Sequence, residues 1–247
     1  MDDAKLQLQA LLPHTIRHRA WIEDMDLRSH KIAAHEHLVR AGGTPHRLYF
    51  VAKGWLSGAT ILSQKWQPIS SVYLRSDVIG LSWLSVEKPM DDISALTAAE
   101  LVSLPLDSFR DWMRRDPLLQ DYVYAEMVRS MVNLQVLVAI SGHMKAPDRL
   151  GYFLFIMLNR YRRSFNTSLK TLPLPMTQEQ IGRLLGLTNV SVNRAFRALE
   201  ADRLIETDRH AVSFLDERAF VSRFEIDKRP DLVRQLVGES LTLNEAA

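Results

Sequence analysis

The chain has 247 residues, of which 47% are hydrophobic and 24% charged, with a net charge of +2; that length supports two cores of ordinary size. No cysteine occurs, which excludes disulfides, thiolate zinc sites, cysteine-ligated iron–sulfur clusters and cysteine nucleophiles together. The start, Met1 to Leu12, lacks the basic end and apolar centre of a signal peptide, and no apolar run approaches the roughly 20 residues of a bilayer span, so a cytoplasmic protein without a membrane partner is expected.

From about Ile32 to Leu106 the segments are short, rich in Val, Ile, Leu and aromatics, and broken by turn formers such as AGGTPH, AKGW and KWQP. The expected strands are HLVRA, RLYFVAKGWLSGATILS, PISSVYL, DVIGL and ISALTAAELVSLPLD, enough to close a barrel or sandwich. Pro105, in the alternating stretch Val102 to Leu106, predicts a sheet edge or a strand end. DSFRDWMRRDP predicts a short helix ended by Pro117, and Leu118 to His143 a single long one, free of proline and of glycine until Gly142. Met127, Met131, Leu134 and Val138 recur at spacings of three and four, and Val123, Leu137 and Ile140 widen the stripe beyond one face. Such a helix has two partners: its own barrel and the same helix of a second chain. Burial within one monomer is the competing explanation.

SGHMKAP at Ser141 to Pro147 predicts a hinge, with Pro147 and Asp148 suited to the first turn of a following helix. DRLGYFLFIMLNRYRRSF is that helix, and NTSLKTLPLP a proline-punctuated connector. Beyond it, MTQEQIGRLLGLTNVSVNRAFRALEADRLI reads as two amphipathic helices with almost nothing between them. A helix-turn-helix needs a small residue where its helices touch and a glycine where the chain reverses, and Gly182 and Gly186 meet both needs. Ile181, Leu185, Leu187, Val192 and Phe196 fall inward, which leaves Asn189, Val190, Asn193, Arg194 and Arg197 facing out. Thr188 caps the second helix and, with Ser191, offers hydroxyls to a phosphate; Thr177, followed by Gln178, does the same one helix earlier. RLIETDRHAVSFLD predicts a strand–turn–strand wing with Arg209 and His210 at its tip. Between Lys145 and Arg203 ten Lys or Arg face four Asp or Glu, so this stretch is net +6 and the rest of the chain net −4, an asymmetry that suits a polyanion partner. Double-stranded DNA is the expected partner; an αα-hairpin used for packing alone would share the glycines and apolar positions.

TQEQIGRLLGLTNVSVNRAFRALEADRLI is similar to the winged helix-turn-helix signature of the Crp/Fnr superfamily of bacterial transcription regulators, and the chain resembles that family over essentially its whole length. AGGTPHRLYFVAKGWLSG and LRSDVIGL resemble the strands and glycine turn of its effector barrel, and KAPDRLGYFLFIML the first helix after its hinge. The resemblance implies an α+β chain: an N-terminal β-barrel (residues 1–115, a cyclic-nucleotide-binding-like jelly roll), a dimerisation helix (116–143) carrying the Met127, Met131, Leu134 and Val138 stripe, a winged helix-turn-helix (144–220) and a C-terminal tail (221–247) in which RPDLVRQLVGES is an expected short helix. It also implies a homodimer on a palindromic operator, with RNA polymerase as a further partner. The DNA-contacting set is then Thr177, Gln178, Thr188, Asn189, Ser191, Asn193, Arg194, Arg197 and Arg209.

Departures from the family pattern bear on the effector. Nucleotide-binding members follow the barrel glycine with a glutamate and place an Arg-Ser pair before the next strand. Here Gly80 is followed by Leu81, no arginine lies between Arg75 and Arg110, and Asp91 and Asp92 fall where the pair is expected. Carboxylates repel a cyclic phosphate, so an effector other than cyclic AMP, or none, is expected. The family's arginine in the base-reading pattern is matched by Arg194, but its common glutamate is Val190. Six histidines precede Leu48, at 14, 18, 30, 35, 37 and 46, and the HEH spacing places His35 and His37 on one strand face. Surface histidines without a metal are the commoner outcome, and no metal or cofactor is expected; a dimeric ligand- or metal/haem-sensing adaptor that does not bind DNA is the alternative function. No phosphate loop or nucleophile elbow supports an enzyme.

Overall fold

The computed structural model describes residues 3–165 and 167–226, which form two compact units divided between Met127 and Val128. The first unit begins with α1 (Asp3–Leu11) and α2 (Ala20–Glu23). Eight strands follow: β1 (Arg28–Ile32), β2 (His37–Val39), β3 (Arg47–Lys53), β4 (Leu56–Thr60), β5 (Ile69–Tyr73), β6 (Val78–Ile79), β7 (Asp91–Ala95) and β8 (Ala99–Pro105). They pair antiparallel into two four-stranded sheets, ordered β1-β8-β3-β6 and β2-β7-β4-β5. β3 and β8 lie at the centre of the first sheet and are apolar on both faces: Leu48, Phe50, Val51, Leu101, Val102 and Leu104 are all fully buried. Leu8, Leu12, Trp21, Ile22 and Phe109 join the same core from the helices, and α1 lies against β3.

Several sequence expectations shift here. Sheet formation starts at Arg28 rather than near Ile32, and HLVRA contributes only His37–Val39. RLYFVAKGWLSGATILS is two strands, parted at Gly54, and ISALTAAELVSLPLD is also two. Pro105 is the last residue of β8 and pairs with Arg47, so it marks a strand end; β8 itself is central. His35 precedes β2 in a left-handed turn, φ 69°, so it does not share a strand face with His37. Among the described residues no three His, Asp or Glu side chains converge as a metal site would need.

α3 (Leu106–Met113) ends before Pro117, and Pro117 instead opens α4 (Pro117–His143), where its missing N–H costs nothing. Asp116 caps that start: its Oδ1 accepts from the Leu118 and Leu119 amides at 3.1 and 3.4 Å, while Arg19 holds the carboxylate through Nε at 2.9 Å and Nη2 at 3.0 Å. Leu119, Tyr122 and Val123 of α4 belong to the barrel core, with Met127 half-buried against it. Tyr124, Val128, Met131, Leu134 and Val138 are exposed. α4 also has the length and apolar content of a membrane span, although polar and charged residues interrupt its apolar stretch.

The second unit contains α5 (Ala146–Phe165), β9 (Thr171–Pro173), α6 (Gln178–Leu185), α7 (Asn189–Ala201), β10 (Ile205–Asp208), β11 (Ala211–Phe214) and α8 (Glu217–Arg223). The expected connector thus contributes a strand: β9 pairs with β11, giving a three-stranded sheet ordered β10-β11-β9. α8 crosses the expected boundary at residue 220. Its Phe220, fully buried, meets Phe155, Phe214 and Phe224, and Arg162 grips Glu217 bidentately at 2.8 Å on both oxygens. That hydrogen-bonded guanidinium holds the Glu217 carboxyl below the usual carboxylate range. The short helix expected over residues 229–240 lies outside the described residues.

Candidate nucleic-acid interface

The joint between α6 and α7 is three residues, Gly186 to Thr188. Its tightness has a local cause. Gly186 takes the left-handed conformation, φ 66°, as the C-cap of α6, and the Leu187 amide donates to the Gly182 carbonyl at 2.9 Å. A Cβ at residue 182 would stand 2.5 Å from the Leu187 carbonyl oxygen, so only glycine permits this crossing. Arg149, from α5, donates to the Leu185 carbonyl at 3.3 Å and to the Met144 carbonyl at 2.8 Å, placing a cation at the negative end of α6. Ile181, Leu185 and Val192 are buried as expected, joined by Leu184, Ala195 and Leu199; Leu187 and Phe196 are only half-buried.

Both predicted caps are formed. The Thr177 hydroxyl accepts from the Gln180 amide at 3.1 Å, and the Gln180 side chain accepts from the Thr177 amide at 2.8 Å, a complete capping box. Thr188 Oγ1 accepts from the Ser191 amide at 3.2 Å and lies 2.9 Å from Ser191 Oγ. Each threonine oxygen is occupied as an acceptor; the Thr177 O–H is left to donate outward, and because Thr188 and Ser191 share one hydroxyl–hydroxyl bond, one O–H of that pair is left as well, beside the first amides of the helix.

On α7, Val190, Asn193, Arg194 and Arg197 fall within a sector of about 100°, at roughly 100° per residue. Val190, Arg194 and Arg197 are exposed, as is Asn189 beside them. Asn193 is half-buried, and its Nδ2 donates to Gln178 Oε1 at 3.3 Å; nothing in the sequence spacing marks this link between the two helices. At the wing tip Arg209 and His210 are exposed. The Asp208 carboxylate accepts from the Arg209 amide at 2.7 Å, so it serves the turn. A groove of about 450 Å³ lies between α7 and the wing, floored by Leu174, Met176, Ile181, Phe196 and Val212 and edged by Arg197, Glu200 and Arg209. Thr207 donates to Glu200 across it, a second link not visible in the sequence. All nine residues expected to contact DNA therefore lie on α6, α7, their caps or the wing.

Residues 148–222 match the family described as the Crp-like helix-turn-helix domain, and residues 29–116 match the cyclic nucleotide-binding domain. The chain belongs to the Crp/Fnr superfamily of transcription regulators. It is similar to the electron transport regulator A of Shewanella oneidensis, 24% identical over 211 residues that cover 82% of this chain and 84% of that one. It is similar also to the transcriptional activator protein Anr of Pseudomonas protegens, 26% identical over 202 residues, covering 79% and 82%. Among solved structures, FixK2 from Bradyrhizobium japonicum shares the fold with a TM-score of 0.71 at 19% identity, over 79% of this chain and 96% of that one.

In the barrel of this Crp/Fnr member the residues after the glycine turn are held by neighbours within the fold. After Gly80 (φ 100°) the chain makes a 3₁₀ turn, Leu81–Leu84, that folds the buried Trp83 ring onto the glycine: a Cβ there would lie 2.2 Å from Trp83 Cε3. Tyr49 meets Trp83 edge-on at 6.4 Å, and His30 meets Tyr49 at 5.7 Å. Asp91 accepts from the Thr60 hydroxyl at 2.5 Å, and Asp92 accepts from the Ala41 amide at 2.7 Å and pairs with Arg40. Arg75 is turned to the carbonyls of Ala52 and Ala10. Carboxylates and an indole are not the cationic donors that hold a phosphate well.

Proposed function

We propose that the protein is a cytoplasmic homodimer that binds an inverted-repeat operator through α7 of each copy, meets RNA polymerase there, and responds to an effector other than cyclic AMP or to none. The observation that carries the DNA contact is the outward ridge of α7, with Arg194 and Arg197 exposed beside two capped helix starts. Arg194 is assigned to guanine, which a guanidinium can bind bidentately at O6 and N7. Thr177, Thr188 and Ser191 are assigned to phosphates, with Gln178, Asn189, Arg197 and Arg209 alongside. Asn193 is assigned to a base edge. The exposed stripe on α4 is assigned to the second copy, and a family of regulators rather than enzymes fits a site built wholly from binding groups.

Selection of duplexes from a random pool tests the reading. Wild type is expected to select an inverted repeat with half-site centres about one helical turn, ~34 Å, apart. Arg194→Ala should lose about 1–3 kcal/mol on that operator and relax preference at one base pair per half-site, whereas Thr177→Ala should weaken every sequence alike. Selection of no palindrome, or an identical motif from wild type and Arg194→Ala, rejects the assignment.

A further inference from the structure

The recognition ridge contains an element that DNA binding in general does not require. Val190, the second residue of α7, is 60% exposed. A valine has no donor or acceptor, so the one feature of a major groove it can distinguish is the C5-methyl group of thymine. A glutamate there would instead accept from the amino group of cytosine. One turn further, Asn193 has two Nδ2 hydrogens and an Oδ1 acceptor. One hydrogen is committed to Gln178 Oε1 at 3.3 Å, and what remains is one donor and one acceptor side by side. That pair matches N7 and the N6 amino group of adenine and no other base edge in the major groove. Because Gln178 sits in the first turn of α6, next to the capping threonine, the same contact ties the amide's orientation to the helix that grips the backbone.

We propose that Val190 and Asn193, the latter oriented by Gln178, make each half-site specific for a thymine methyl and an adenine beside the guanine assigned to Arg194. This rests on the DNA-binding assignment above and names the bases that assignment leaves open. Gln178 is here a positioning residue: it acts on sequence choice through Asn193, in addition to any phosphate it meets.

The test alters DNA atoms rather than the protein. In the operator selected by wild type, each thymine of a half-site is replaced in turn by deoxyuridine, which removes only the methyl group, and each adenine by 7-deazaadenine, which removes only the N7 acceptor. At one position deoxyuridine is expected to weaken wild type about fourfold, the worth of one methyl group, and to leave Val190→Ala unaffected. At one adenine the deaza base should cost wild type about tenfold, the lower range of a bidentate base contact, and cost Asn193→Ala nothing. Gln178→Leu should lose most of that adenine preference, and Gln178→Asn, too short to reach, should not restore it. If wild type is indifferent to every deoxyuridine and every deaza base while its preference for the Arg194 guanine and its salt dependence persist, this proposal is wrong and the DNA reading stands. If no guanine preference and no palindrome appear, both fall.

Discussion

At Gly182 an added methyl group has two opposite effects, and their sizes decide the outcome. Alanine in a helix interior is favoured over glycine by up to about 1 kcal/mol. Against this, the new Cβ would stand 2.5 Å from a backbone oxygen, that of Leu187, and 3.6 Å from Val192 Cγ2; relieving such overpacking costs about 1–3 kcal/mol. Gly182→Ala should therefore destabilise the second unit, and because the relief must move the α6–α7 joint, DNA affinity should fall with it. Chemical denaturation together with operator titration checks both; a more stable variant with unchanged affinity would show that the joint has slack. Crowding works in the reverse direction at Gly80, where the native Trp83 ring already fills the space over the glycine. Calorimetry with cyclic AMP is accordingly expected to show no specific heat at micromolar concentrations, a regime that corresponds to about −8 kcal/mol. A one-to-one binding isotherm per chain would refute the reading of the barrel.

Among the elements, α4 depends on its first turn. Burial pushes the Asp116 carboxyl up, but the Arg19 hydrogen bonds and the Leu119 and Leu118 amides together outweigh it and hold the group below its ordinary value. A carboxyl depressed in the folded state stabilises fully above its unfolded pKa of about 3.9 and loses that contribution as pH falls through the folded value. Asp116→Asn keeps the cap but removes the charge. It should lower stability by about 1 kcal/mol near neutrality, discounted because Arg19 is half in water, and the gap to wild type should close below about pH 4. Thermal melts from pH 7 to pH 3 measure it; a gap independent of pH would mean the charge plays no part. Pro117 had suggested the end of α3 in the sequence, whereas it opens α4, because the same fixed φ that stops one helix suits the first turn of another. The α6–α7 joint and the wing were legible because glycine, caps and amphipathic spacing are local signals. β9 was not: a three-residue strand that ends at Pro173, with Pro175 two residues on, takes its conformation from β11, far along the chain. α8 was missed for a related reason, since a short helix anchored by Phe220 and the Arg162–Glu217 pair has little periodicity of its own. At the site, the residue types were legible and the Gln178–Asn193 and Glu200–Thr207 links were not, because they join elements whose approach is set by packing.

For the whole molecule the decisive surface is α4, whose length and apolar content suit either a bilayer or a protein partner. The side chains separate the two. Asp121 is exposed on it, Glu126 is buried, and Arg129 follows one residue after the division of the units; ionised groups within a helix are costly in hydrocarbon. In a coiled pairing they sit beside an apolar seam at little cost. That seam is Val128, Met131, Leu134 and Val138, with Val138 72% and Leu134 49% exposed in the single chain, whereas Met127, also expected in it, is half-buried against the barrel core. Because Leu134 is half in water in one chain, a charge there leaves the folded monomer nearly as stable as before, but burying it between two copies would cost several kcal/mol. Leu134→Glu should therefore sediment as a monomer with an unchanged circular dichroism spectrum, where wild type is expected to sediment as a dimer. A two-fold operator adds a second readout: with only one half-site engaged at a time, the variant loses the gain from linked binding, a factor of about 10²–10⁴ in apparent affinity, while its preference at each base position stays that of wild type. A Leu134→Glu protein that remains dimeric, or a wild type that is monomeric at the concentrations where it binds its operator, would remove α4 from the interface.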